Sequence, residues 1–269
     1  MMESAQRPNV RGKEVLRLLT THEALSFGAL QALMKPAIST RRLRDVLGRL
    51  IKTSLVRQPL FNQNSGTESF YEISEPFRSE LGISPIHSSL LTHNDSCSFT
   101  ASLLMEEFPE ARLFREHSIP RDEDLREAMQ YERKTPDSLP DILIALPTTH
   151  KTRKALIAIE IERSKKSTTR MLKKIRKYAF RTRLDGVFYV SEDQAVLEAI
   201  TTRYRQSTHA ESNRIGHYRD HFLITGKCPT RQNLAFKNVH NSAGKPVSLT
   251  DWIRTLINVE KDDRRDFAF

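Results

Sequence analysis

Only two cysteines, Cys97 and Cys228, occur in the 269 residues, and neither belongs to a Cys-x-x-Cys pair. That excludes a disulfide framework and the common zinc and redox motifs, and it fits a reducing cytoplasm. Long apolar runs are missing as well. A stretch such as 155–159 falls far short of the roughly 20 residues a helix needs to cross a bilayer, so no membrane span is expected. The first eight residues, Met-Met-Glu-Ser-Ala-Gln-Arg-Pro, hold no apolar core behind a basic flank and do not read as an export signal. There is no Gly-x-x-x-x-Gly-Lys loop, which leaves ATP-driven chemistry without a motif.

What is present is basic charge, unevenly placed. The chain is 38% hydrophobic and 28% charged, enough for buried cores in two modest domains. Its formal charge is +10. Residues 10–58 carry ten basic and three acidic side chains and residues 163–183 carry ten basic and none acidic, which leaves about −7 on the remainder. Two separate cationic patches are the electrostatic footprint of a partner rich in phosphate, because Lys and Arg release the counterions condensed on it. Charge alone leaves a solvated surface or an anionic membrane open as alternatives.

The spacing of Val15, Leu16, Leu18 and Leu19 predicts a first helix. Ser26 stands where it can cap a short second helix over 27–34, which Pro36 stops. A third helix follows over 39–52, with Leu43, Val46, Leu47, Leu50 and Ile51 on one face and Arg41, Arg42, Arg44 and Arg49 elsewhere. Residues 55–61 and 69–73 read as two short strands around the turn-forming 62–67. Three helices and a hairpin over 10–75 resemble a winged helix-turn-helix domain. That resemblance implies a third helix in the major groove of double-stranded DNA, with the four arginines on bases or phosphates; such domains also serve as protein-binding modules. Proline, glycine and several serines mark 76–91 as a linker.

Beyond it, 99–108 reads as a helix, 111–119 as a strand, and the mixed-charge 121–137 as a loop or broken helix. Pro140-Asp141 opens a short apolar strand over 140–146, and a further strand covers 155–162. Side chains alternate along a strand, so Glu160 and Glu162 share one face and Ile159 and Ile161 the other. Two carboxylates on one apolar face resist desolvation and repel each other unless something positive joins them. Mg²⁺ (or Mn²⁺) is one such partner, since it takes one or two carboxylates and keeps places for water and phosphate, with Asp141 completing the set. It would lower the pKa of a bound water and stabilise charge on a phosphodiester. A Lys or Arg paired with one glutamate at the strand end is the other. Helix 167–183 packs Met171, Leu172, Ile175, Tyr178 and Ala179 on the sheet, while Arg170, Lys174, Lys177 and Arg181 form an outer basic stripe that could hold a phosphate backbone.

Pro140-Asp141, then Glu160-Ile161-Glu162, then a strand over 186–191 after the basic helix resemble the PD-(D/E)xK nuclease superfamily. The resemblance implies an α/β, restriction-endonuclease-like αβββαβ domain over 92–226, giving an α+β chain overall, with a C-terminal extension over 227–269. It also implies metal ligands at Asp141, Glu160 and Glu162. Members usually carry lysine where this chain has Glu162; Lys165 or Lys166 is left to supply that charge, Lys165 as a catalytic residue and Lys166 also as a DNA contact. With a winged helix in front, the chain is similar to the replication-relaxation family and to MobC-type plasmid mobilisation relaxases. That implies nicking at a specific site in mobile-element DNA, with mobilisation or replication proteins as further partners. The alternative is a non-catalytic DNA-binding regulator with a degenerate nuclease fold. Among weaker signals, His217 and His221 lack the glutamate and third ligand of a zinc site, Glu106 and Glu107 are acids borne on a helix that could approach a metal, and 248–257 reads as a capped amphipathic helix.

Overall fold

The protein is described by a computed structural model over residues 8–34, 37–58, 69–83, 90–116, 118–131, 139–148, 154–164, 166–181, 183–211, 222–230, 233 and 235–258. It mixes helix and strand in two sheets. The chain divides into two compact units, Met1–Ser102 with Thr230–Leu234, and Leu103–Pro229 with Ala235–Phe269.

In the first unit α1 (Val10–His22) is opened by Asn9, whose side chain accepts from the Gly12 amide at 2.9 Å. Val15, Leu18 and Leu19 form its buried face. β1 (Ala24–Ser26) leads directly into α2 (Phe27–Leu33), capped by Ser26 Oγ accepting from the Ala29 amide. α3 (Thr40–Lys52) is capped by Ser39 and buries Leu43, Val46, Leu47 and Leu50. Ile51, expected on that face, is instead 40% exposed near the helix end. β2 (Val56–Arg57) and β3 (Phe70–Ile73) are antiparallel, and β1 joins them in the order β1-β3-β2. The tip of the expected hairpin lies outside the described residues.

The segment read as a linker contains a short helix, α4 (Phe77–Glu80). Arg78 in it is 6% exposed and its Nη1 donates to Glu72 on β3 at 2.9 Å. The next helix, α5 (Leu91–Glu107), starts eight residues before the expected one, and the division between the two units falls within it. Its polar first turns are held by backbone: Asn94 Nδ2 donates to the His22 and Ala24 carbonyls, and Asp95 Oδ1 accepts from the Ser26 amide at 3.0 Å. These bonds satisfy groups at β1 that the sheet leaves open, which is why polar residues there are buried.

The second unit is built on a six-stranded sheet in the order β4-β5-β6-β7-β8-β9. β4 (Arg112–Arg115), shorter than expected, β5 (Ile142–Pro147) and β6 (Lys154–Ile161) are antiparallel neighbours. Between β4 and β5 lie a 3-10 turn (Ile119–Arg121) and α6 (Glu123–Ala128), capped by Asp122. β7 (Gly186–Ser191) runs parallel to β6, and β8 (Leu223–Lys227) parallel to β7. The crossovers are α7 (Thr168–Arg181) and α8 (Gln194–Glu211). Met171, Ile175 and Tyr178 of α7 share a core with Ala158, Val187 and Tyr189 of the sheet. β9 (Lys237–Asn241) is antiparallel to β8, and α9 (Leu249–Asn258) covers the opposite face. There Trp252 lies so close to Gly186 that a Cβ would meet its ring at 2.6 Å. The C-terminal extension, apart from Thr230–Leu234, is thus part of this unit. No helix among the described residues is long and apolar enough to cross a membrane.

Candidate functional site

Alternation along β6 turns Glu160 toward α7, and Glu160 has no solvent exposure. A carboxylate so placed needs compensating partners. α7 supplies them one turn apart: Lys174 Nζ donates to Glu160 Oε2, and the Tyr178 hydroxyl donates to Oε1. Lys174 also stands 3.9 Å from Glu162 Oε1. Glu162, 6% exposed just beyond the strand, accepts from Lys166 Nζ at 2.5 Å. Asp141 immediately precedes β5, and its Oδ2 accepts from the Ile161 amide at 2.7 Å. That bond brings the third acid to the end of β6.

Burial pushes the Glu160 carboxyl up to about 8, opposed by the Lys174 ammonium and assisted by the Asp141 charge. Burial works to lower Lys174, but Glu160, Asp141 and Glu162 outweigh it and hold the ammonium above its ordinary value. Burial first, and then Glu160, raises the Tyr178 phenol well above the usual tyrosine range. The cluster therefore sets two ammonium groups, Lys174 and Lys166, against three acids, with Lys174 the more deeply buried.

The placement of the expected basic residues differs in detail. Lys174 and Lys177 do not lie on an outer stripe: Lys177 is 8% exposed and the Lys174 side chain 11% exposed. The reason is helical phase. Position 174 follows Met171 by three and precedes Tyr178 by four, so it belongs to the face that packs on the sheet. Among the described side chains, Arg170, Lys173 and Arg176 are the exposed basic residues of α7. Lys166 is engaged with Glu162. Lys165, the Arg181 side chain, His217 and His221 lie outside the described residues. Glu106 and Glu107 are exposed, and Glu107 Oε1 accepts from Thr250 Oγ1 at 2.7 Å.

Comparison with family models, with curated proteins and with solved structures finds no match. The chemistry therefore has to be read from the residues themselves.

Of these residues the sequence reading put Lys174 on the wrong face and did not single out Tyr189. Lys174 carries the positive charge expected between the glutamates, and its i+3 and i−4 relation to Met171 and Tyr178 was the available signal. Tyr189 is the one it missed. It is the register partner of Glu160 on β7, it is 2% exposed, and its hydroxyl has no hydrogen-bond partner among the described residues. Only the parallel pairing of two strands separated by a helix brings it there.

In the first unit Arg41, Arg42, Arg44 and Arg49 are exposed on α3 beside the exposed Asp45. Arg44 stacks on Phe27 at 5.6 Å from the ring centroid. Among the described residues Arg41, Arg42 and Arg49 make no ion pair. Guanidinium groups left in solvent are available to an anionic partner.

Proposed function

We propose that this chain is a metal-dependent DNA endonuclease of the nickase or relaxase kind, acting at a specific site in plasmid or mobile-element DNA. The observation that carries the reading is Lys174 shared by Glu160 and Glu162 at the end of one strand, with Asp141, at the start of its neighbour, bonded to the Ile161 amide between those two glutamates. Lys174 supplies a positive charge that residue 162 does not. The element order α5-β4-α6-β5-β6-α7-β7 supports the αβββαβ pattern of the resemblance with α6 inserted between its first two strands, and α1-β1-α2-α3-β2-β3 supports a winged helix.

The donor set fits a hard divalent cation. It is all carboxylate oxygen, and above about pH 8, where Glu160 is ionised, three acids against Lys174 and Lys166 leave one negative charge over. Mg²⁺ asks for only one or two carboxylates. Glu160 is occupied by Lys174 and Tyr178, so Asp141 and Glu162 are the residues that would hold the ion. When bound, the ion would supply Lewis-acid stabilisation of phosphate charge and a more acidic water. The chain's own residues do the rest. Asp141 fixes the end of β6 through the Ile161 amide, Lys174 and Tyr178 hold Glu160 in the interior, and Lys166 orients Glu162. The α3 arginines, and the exposed Arg170 on α7, take phosphate contacts that hold the duplex without reading sequence.

A second reading, a DNA-binding regulator or replication accessory protein that does not cut, is favoured by one feature. Both oxygens of Glu160 already accept hydrogen bonds from the protein. The two readings part in one experiment. A library of supercoiled plasmids with random inserts is incubated with the protein and Mg²⁺ or Mn²⁺, and nicked ends are sequenced. Metal-dependent nicking at a recurrent site, lost in Asp141→Asn and Glu162→Gln, supports the endonuclease. Salt-sensitive DNA binding with no nicking in either metal supports the regulator.

A further inference from the structure

The unpartnered hydroxyl of Tyr189 bears on what the acid cluster binds. Tyr189 lies directly across from Glu160 in the parallel β6–β7 register, so both side chains stand on the face covered by α7, one strand spacing apart. The two tyrosines beneath α7 are treated differently. Tyr178 spends its proton on Glu160 Oε1, Lys174 fills Oε2, and Tyr189, 2% exposed, is left with neither. A buried hydroxyl without a partner is costly and uncommon in a native protein. Phenylalanine would fill the same space without that cost, so the oxygen needs a reason to be there. Burial first, then the charges of Glu160, Glu162 and Asp141, keep this phenol well above the usual range, so at neutral pH it is a proton donor and lone-pair acceptor rather than an anion. Ser207, another hydroxyl without a partner among the described residues, sits on α8, outside the strand pair that carries Glu160.

We infer that Tyr189 is a further residue of the acid site, a positioning residue whose hydroxyl hydrogen-bonds a water of the divalent cation held at Asp141 and Glu162. This rests on the metal-site reading above. A hydrated Mg²⁺ or Mn²⁺ keeps several waters, and one that faces the protein interior needs a hydrogen-bond acceptor there, a role open to the lone pair of the Tyr189 hydroxyl. Such outer contacts commonly govern metal affinity by about 10- to 100-fold.

The test is Tyr189→Phe, which removes one oxygen and keeps the ring in the core. Mn²⁺ binding to the full chain is followed by electron paramagnetic resonance of the free ion and by calorimetry, with thermal melting of the metal-free protein alongside. The expected result is Mn²⁺ affinity weakened about tenfold with a metal-free melting temperature no lower than that of the wild type. If Tyr189→Phe binds Mn²⁺ as tightly as the wild type while Asp141→Asn does not, the role of Tyr189 is overturned and the acid site stands. Weaker binding together with a lower melting temperature assigns the hydroxyl to packing and also overturns the proposal. If the wild type takes up no Mn²⁺, or Asp141→Asn binds it unchanged, the metal-site reading fails and this inference with it.

Discussion

Replacing Glu160 by glutamine separates the cost of its buried charge from its shape. The ordinary carboxyl value is 4.5, and burial pushes Glu160 up to about 8 in the folded chain. Between those values the native protein holds a proton that the unfolded chain has already released. Stability therefore falls as pH rises across that window, the penalty being absent below 4.5 and complete above 8. At about 1.4 kcal/mol per pH unit, the stretch from pH 6 to pH 8 amounts to roughly 3 kcal/mol, with little further loss by pH 9. Glutamine has no such proton to lose. Lys174 is not orphaned by the change, because Glu162 remains 3.9 Å away and the Asp141 charge still acts on it. Urea unfolding followed by the fluorescence of Trp252, the chain's one tryptophan and a buried residue of the second unit, reports the relevant stability. Between pH 6 and pH 9 the wild type should lose about 3 kcal/mol more than Glu160→Gln. Parallel profiles would refute the reasoning, since they mean that Lys174 keeps the carboxylate ionised throughout.

Three further outcomes follow from the packing and the charge. Arg41→Ala with Arg42→Ala should flatten the salt dependence of duplex binding by about 2 in the log–log slope, roughly 0.9 for each phosphate no longer neutralised; an unchanged slope in fluorescence anisotropy removes α3 from the interface. Gly186→Ala places a Cβ 2.6 Å from Trp252 and 2.8 Å from Leu256. Overpacking of that kind costs about 1–3 kcal/mol, and a denaturation midpoint equal to the wild type would show that α9 yields freely. Arg78→Ala should cost about 3–5 kcal/mol, because it leaves buried Glu72 short of a partner, whereas Arg57→Ala, at a position half exposed on the same carboxylate, should cost under about 1 kcal/mol. Hydrogen exchange at the β3 amides distinguishes the two, and equal protection in both variants would contradict the assignment.

Much of the secondary structure was legible because its signals are local. The apolar spacing of Leu43, Val46, Leu47 and Leu50 marks α3, and alternation at Glu160, Ile161 and Glu162 marks the end of β6. β1 was not legible: Ala24, Leu25 and Ser26 are a strand only because β3 pairs with them. The start of α5 escaped for a similar reason, since Asn94 and Asp95 are buried by their bonds to the backbone at β1 and show no apolar period. At the candidate site, the sequence alone determined that two glutamates share a strand face and demand a positive partner. Which partner answers was decided by tertiary structure. Lys174 is charged, and composition alone assigns a lysine to solvent; its helical phase and the placing of α7 across β6 bring it onto Glu160 instead. Tyr189 lies 29 positions from Glu160 in the chain and meets it only because a helical crossover returns β7 parallel to β6. Periodicity reports which side of an element is buried, whereas the partner of a buried charge depends on the residues that a distant strand or helix brings beside it.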